Sequence, residues 1–174
     1  MDRLFVDMLG DLIPVLLRMI HIMAAIIWIG HIYVNIVMRP HFEPLCPEEV
    51  SNATDGGFTK RIKREHATFR HASIVTWVTG FLMLWHSGRL VDAAMLNGAD
   101  AVIGMGGWIG TIMTLNVWLV LWPHQKKVLG FVPAPFAERA RCARITFLTS
   151  RTNAMLSVPL FFFMVSSSFG LGLF

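Results

Sequence analysis

Four of the seven histidines lie in long apolar stretches, where an ionisable side chain is unusual. His21 and His31 belong to RMIHIMAAIIWIGHIYVNIVMRPH, which spans residues 18–41, and His71 and His86 belong to a second apolar stretch. An ionisable residue inside a membrane helix is costly and by default a functional candidate. Neutral imidazole is a common axial ligand of haem iron, so these four histidines are candidate metal and cofactor ligands.

The elements that would position these histidines are four apolar segments, each long enough for a membrane helix of about 20 residues. They cover about residues 12–38, 71–91, 105–122 and 146–169. Pro14 is expected in the first turn of the first helix, and Pro123 is expected to end the third. The chain is 55% hydrophobic and only 15% charged, unlike an average soluble domain. We expect an all-α integral membrane protein, in which residues 1–174 form one domain, a four-transmembrane-helix bundle.

The basic residues predict the orientation of this bundle. Residues 39–70 carry six Lys and Arg, residues 124–151 carry six more, and the rest of the chain carries three. Positive charge favours the cytoplasmic side, so loops 39–70 and 123–145 are expected in the cytoplasm and both termini in the periplasm. This pattern predicts a multi-pass protein of the bacterial inner (plasma) membrane, surrounded by lipid, and offers no support for nucleic-acid binding.

The rise of a helix converts the position of each histidine into a depth. On this scale His21 and His86 share an outer level, and His31 and His71 share an inner level. The two histidines of each helix are separated by about 80° and about 60° around its axis, so each pair occupies one broad face. The pattern predicts one haem b, or two at different depths. The two cysteines form no CxxCH motif, which excludes a covalently attached c-type haem.

Three stretches resemble a known family. They are HIMAAIIWIGHIYVNIVMRP in the first apolar segment, LNVWLVLWPHQKKVLG in the third and SRTNAMLSVPLFFFM in the fourth. Together they resemble the membrane domain of the bacterial PuuD-type urate oxidase, the urate oxidase N-terminal family. The first and last stretches are more distantly similar to the HemJ protoporphyrinogen oxidase family.

The resemblance implies roles for individual residues. It makes His21 the histidine linked to haem b, and it suggests that Arg151 and Asn153 hold a haem propionate or an anionic substrate. Further positions match the motifs: Trp28, Gly30, Asn116, Trp118, Trp122, Pro123, Gln125, Ser157 and Pro159. Full-length members carry a C-terminal cytochrome c domain that is not in this sequence, so a separate periplasmic cytochrome c is an expected partner.

Three functions stay open at this point. The first is electron transfer through haem b, to or from a cytochrome c or a quinone. The second is a membrane oxidoreductase acting on urate or a porphyrin-like substrate, with a polar pocket formed by Asn116, Gln125, Arg151 and Asn153. The third is a cofactor-free structural subunit of a larger membrane complex, packed through small-residue patches such as GMGGWIG. A homodimer is a further expectation, because four helices leave little room to surround a haem.

Overall fold

The computed structural model describes residues 2–45 and 56–170; for residues 2–9, 11 and 56–66 it describes the backbone alone. Within these ranges the fold is helical and has no strand. Two π-helical turns, Tyr33–Val37 and Asn116–Leu121, and one 3-10 turn, Gly98–Asp100, accompany the α-helices. The α-helices are α1 (Asp2–Ile32), α2 (Gly56–His86), α3 (Leu90–Met95), α4 (Ala101–Leu115), α5 (Trp122–Val128) and α6 (Phe136–Ser168).

The helices extend beyond the apolar segments that predict them. Helix α1 begins at Asp2, so Pro14 lies inside it rather than in its first turn. Pro123 does not end the third segment either, because it lies in the first turn of α5, directly after a π-helical turn. The first turn of a helix tolerates a residue without an N–H, which explains why the chain stays helical there.

Helices α1 and α2 form an antiparallel pair. His21 on α1 contacts Thr79 on α2, and His31 stacks on Phe69. These contacts are ten residues apart on each helix, as expected for two helices that run in opposite directions with a constant register. The register fixes which residues of the two helices share a level.

The second antiparallel pair consists of α4–α5 and α6. Asn116 bonds to Asn153, and Lys127, which follows Asn116 in the chain, pairs with Glu138, which precedes Asn153. The short helix α3 packs on α4. Leu160 of α6 joins residues of α1, α2, α4 and the second π-helical turn in a core cluster of Trp28, Ile29, Ile32, Phe69, Ala72, Met113, Val117, Leu121 and Leu160. The four long helical segments of the described chain therefore share one core.

Two helical segments, Leu12–Val37 and Gly98–Val128, are long and apolar enough to cross a membrane. The other two segments contain more hydroxyl and amide side chains, and several of these are turned inward. Among the described side chains, seven polar residues are buried, all on α2 or α6: Ser73, Thr76, Thr79, Thr149, Asn153, Ser157 and Ser166. The surface of the same helices carries large apolar side chains, among them Met155, Val158, Phe162 and Val165.

Candidate functional site

His21 lies between α1 and α2 with its ring partly buried. Its Nδ1 atom is 3.1 Å from the hydroxyl oxygen of Thr79, and that oxygen is 2.6 Å from the carbonyl oxygen of Val75. A carbonyl can only accept, so the Thr79 hydroxyl donates its hydrogen to Val75. The Thr79 oxygen therefore accepts from His21 Nδ1–H, and the neutral His21 ring keeps the lone pair on Nε2. This is the tautomer that can bind iron through Nε2.

Gly80 provides the space that the His21 ring occupies. A Cβ atom at position 80 would lie 3.0 Å from His21 Cε1 and 3.4 Å from Nδ1. Even alanine would therefore press against the imidazole. Thr79 and Gly80 together fix both the hydrogen bond and the position of the ring.

His71 and His124 are held in the same tautomer by their own helices. His71 Nδ1 is 2.7 Å from the carbonyl oxygen of Ala67, and His124 Nδ1 is 2.7 Å from that of Val120. Each Nδ1 must donate, which leaves Nε2 unprotonated in the neutral ring. Histidines that bind metals are commonly oriented by such a bond from the second ring nitrogen.

The register gives the two histidines of one predicted pair a similar depth. His71 is two residues from Phe69, which faces His31, so the two histidines differ by about 3 Å in depth. His86 is seven residues beyond Thr79, which faces His21, and is therefore displaced by about 10 Å along the axis. The structure thus gives His31 and His71 a similar depth, whereas His86, which is exposed on α2, lies at a different depth from His21.

An apolar groove of about 400 Å³ runs between α1 and α2. His71 and Thr68 are its polar lining residues, and the remainder are Met19, Ile20, Met23, Ala24, Ile27, Ala72 and Val75. Cofactor sites are commonly apolar with a few polar groups that fix the orientation of the ligand. No cluster of three or more His, Cys, Asp or Glu is placed to hold a metal ion within the described ranges, but an axial haem site requires only one or two imidazoles.

Arg151 and Asn153 lie close in sequence but in different surroundings. Arg151 is exposed and its guanidinium lies 5.8 Å from the ring centre of Phe147. Asn153 is fully buried, donates to the Met113 carbonyl at 3.3 Å and accepts from Asn116 Nδ2 at 2.8 Å. The Asn153 amide therefore ties α6 to the helices that pack against it.

Arg70 of α2, Trp118 of the second π-helical turn and Trp122 of α5 form a cationic cluster. The sequence did not single out this cluster. The guanidinium carbon of Arg70 lies 3.5 Å from the ring centre of Trp122 and 5.2 Å from that of Trp118. Arg70 Nε and Nη1 and Trp118 Nε1 are buried and have no hydrogen-bond partner. Burial lowers the pKa of Arg70 from its ordinary value, although arginine remains protonated in proteins. The i, i+4 spacing of the two tryptophans was the available signal, since it places them on one helical face.

Sequence comparison connects the second half of the chain to a known family. Residues 88–173, just under half of the chain, match the model of the family described as urate oxidase N-terminal. The match contains the motifs of the third and fourth segments and confirms the resemblance there, whereas His21 lies outside it. The similarity to the HemJ family stays a prediction. No curated protein and no solved structure matches the chain.

Proposed function

We propose that this chain is a haem b-binding membrane protein that transfers electrons to or from a separate cytochrome c or a quinone. It crosses the bacterial inner membrane four times, with both termini in the periplasm. His21 is the first axial ligand. His31, His71 and His86 are the candidates for a second ligand or a second haem, and the register favours His31 and His71 for the inner level.

The distribution of polarity supports four membrane crossings. Helices α2 and α6 bury small polar side chains and expose large apolar ones, which is the reverse of a helix on the surface of a water-soluble protein. Lipid favours this arrangement, because hydroxyl and amide groups find partners between helices while apolar side chains face the acyl chains. The contact of Arg70 with Trp122 supports this topology, because it joins the start of the apolar segment of α2 to the end of the third apolar segment.

The observation that carries the haem proposal is the hydrogen bond from His21 Nδ1 to Thr79. It fixes an imidazole with a free Nε2 lone pair inside an apolar helix interface. A haem bound there would supply reversible one-electron transfer, while His21 would hold the iron and Thr79 would orient His21. The apolar side chains around the ligand would restrict the access of water and so influence the reduction potential.

The test is a reduced-minus-oxidised spectrum with pyridine haemochrome quantification on protein purified in mild detergent. We expect a b-type signal in the wild type and its loss in His21→Ala. His41→Ala is the matched control, because His41 is exposed and has no proposed role. Separate alanine variants of His31, His71 and His86 identify the second ligand. A folded wild-type protein without haem would contradict the proposal and favour the cofactor-free subunit.

A second candidate is an oxidoreductase acting on urate or a porphyrin-like substrate, which the match of residues 88–173 favours. Consumption of urate by the haem-loaded protein, followed spectrophotometrically with an added quinone or cytochrome c, distinguishes the two functions. Substrate-dependent reduction of the acceptor supports the enzyme. Reversible reduction of the haem without loss of urate supports electron transfer.

A further inference from the structure

We propose that Arg70, Trp118 and Trp122 form a binding site for the oxyanion of an amphiphilic ligand. The site lies at the start of the apolar segment of α2 and at the end of the third apolar segment, where the second π-helical turn meets α5. It does not depend on the proposed haem, because the oxyanion has two possible sources: a haem propionate or the phosphate of an anionic phospholipid.

The first argument is the set of unmet donors. Arg70 Nε, Arg70 Nη1 and Trp118 Nε1 are each buried without a hydrogen-bond partner. Nearly all buried polar groups in proteins are hydrogen-bonded, and a specific exception requires an explanation such as a missing ligand. The guanidinium carbon of Arg70 lies 5.2 Å from the ring centre of Trp118, so these unmet donors belong to one cluster of side chains.

The second argument is charge. Lys126 Nζ lies 5.8 Å from the ring centre of Trp122, so two cations approach the same indole. Two ion pairs between described side chains, Arg89–Asp100 and Lys127–Glu138, use other cations. The cluster therefore carries positive charge that these carboxylates do not neutralise.

The third argument is geometry. The guanidinium of arginine is a planar fork that matches a carboxylate or a phosphate. Trp122 holds this fork at 3.5 Å, which restricts its orientation before a ligand binds. The site adjoins an apolar region on the helices and so fits an anion attached to an apolar body. A free inorganic anion would gain nothing from that region.

The experiment compares wild type, Arg70→Gln and Arg144→Gln in detergent. Arg144 is the matched control, because it is an exposed arginine of α6 with no proposed role in binding. One arm measures by native mass spectrometry the retention of phosphatidylglycerol against that of phosphatidylcholine. The other arm titrates haem b against its dimethyl ester, in which both propionates are blocked.

We expect Arg70→Gln to reduce the preference for the anionic probe in one arm by about tenfold or more, the loss typical of a charge-assisted hydrogen bond. Arg144→Gln should leave both preferences unchanged. Loss in the lipid arm identifies a phospholipid phosphate, and loss in the haem arm identifies a propionate. If Arg70→Gln keeps the wild-type preference in both arms of the experiment, the proposal is overturned.

Arg70→Lys provides a second variant if the glutamine protein does not fold. It keeps the positive charge but lacks the planar fork, so an intermediate loss of preference is expected. Retention of the full preference in both arms by a folded Arg70→Lys protein would also overturn the site, because a fixed fork would then have no role.

Discussion

The surroundings of individual side chains decide which of the seven histidines is suited to bind a cofactor. His21 combines partial burial, a fixed tautomer and a space left by Gly80, whereas His86 is exposed and seven residues away from the level of His21 on the facing helix. In the sequence both are histidines of an apolar segment at a shared outer level, and the resemblance singles out His21 alone. The difference depends on the register between α1 and α2, which spacing along one helix cannot supply.

Replacing Thr79 with valine should release His21. The variant keeps the shape of the side chain but removes the hydroxyl oxygen that His21 Nδ1 contacts, and the loss of this partly buried hydrogen bond should cost about 0.5–1.5 kcal/mol in the free energy of unfolding. Haem affinity, where haem is bound, should fall by about 10- to 100-fold, as for other partners that orient a ligand. Imidazole nitrogen chemical shifts report the loss of the single tautomer directly.

Two control variants test this prediction. Thr79→Ser retains a hydroxyl and should behave like the wild type. Thr76→Val removes a buried hydroxyl that bonds only the Ala72 carbonyl of its own helix, so the His21 signals should not change. Equal effects of Thr76→Val and Thr79→Val on the His21 ring would show that Thr79 is not its partner.

Asn153 and Arg70 illustrate the same limit of sequence reasoning. Asn153 was selected as an anion ligand from a motif, but its amide bonds to neighbouring helices. Arg70 was counted only as one of the basic residues that orient the chain, yet its guanidinium packs on Trp122. That contact joins residues 52 positions apart, and it exists only after α2 has packed beside the second π-helical turn.

At the scale of elements, apolar length predicted where four helical segments lie but not where they begin and end. Helix α2 starts at Gly56, well before the apolar segment at residue 71, because a charged sequence can continue a helix outside the apolar layer. Helix α6 likewise starts at Phe136 rather than near residue 146. Hydropathy predicts the apolar part of a helix, and it does not predict how far the helix continues into polar sequence.

The Asn116–Asn153 bond should contribute to the packing of α6 against α4 and the second π-helical turn. Single alanine substitutions remove a buried amide pair between helices, so each should lower the free energy of unfolding. In a double-mutant cycle the two substitutions should couple by about 0.5–2 kcal/mol, the range for polar contacts between helices. Unfolding in mixed micelles supplies the four free energies.

The control cycle pairs Asn116→Ala with Thr152→Ala. Thr152 is adjacent to Asn153 but exposed, and its hydroxyl bonds the Leu148 carbonyl within α6. These two substitutions should be additive. Additivity of Asn116→Ala with Asn153→Ala as well would mean that the amide pair does not join the helices in the membrane.

For the whole molecule, three independent features agree on the same arrangement. Two segments are apolar enough to span a membrane by composition alone, and the other two bury small polar side chains and expose large apolar ones. The antiparallel register places residues 39–45, the start of α2 and residues 124–144 at one end, and the Ser87–Arg89 turn at the other. The excess of basic residues is at the first of these ends, which the positive-inside rule assigns to the cytoplasm.

Cysteine labelling in spheroplasts of a bacterial host tests this topology. In a Cys46→Ser, Cys142→Ala background, Ser87→Cys should react with a membrane-impermeant maleimide in intact spheroplasts, because its exposed turn faces the periplasm in the proposed orientation. Ala137→Cys, exposed at the start of α6, should react only after permeabilisation. The cysteine-free background is the control. The opposite labelling pattern would show that the bundle has the inverted orientation. Labelling of both sites in intact spheroplasts would contradict an odd number of membrane crossings between residues 87 and 137.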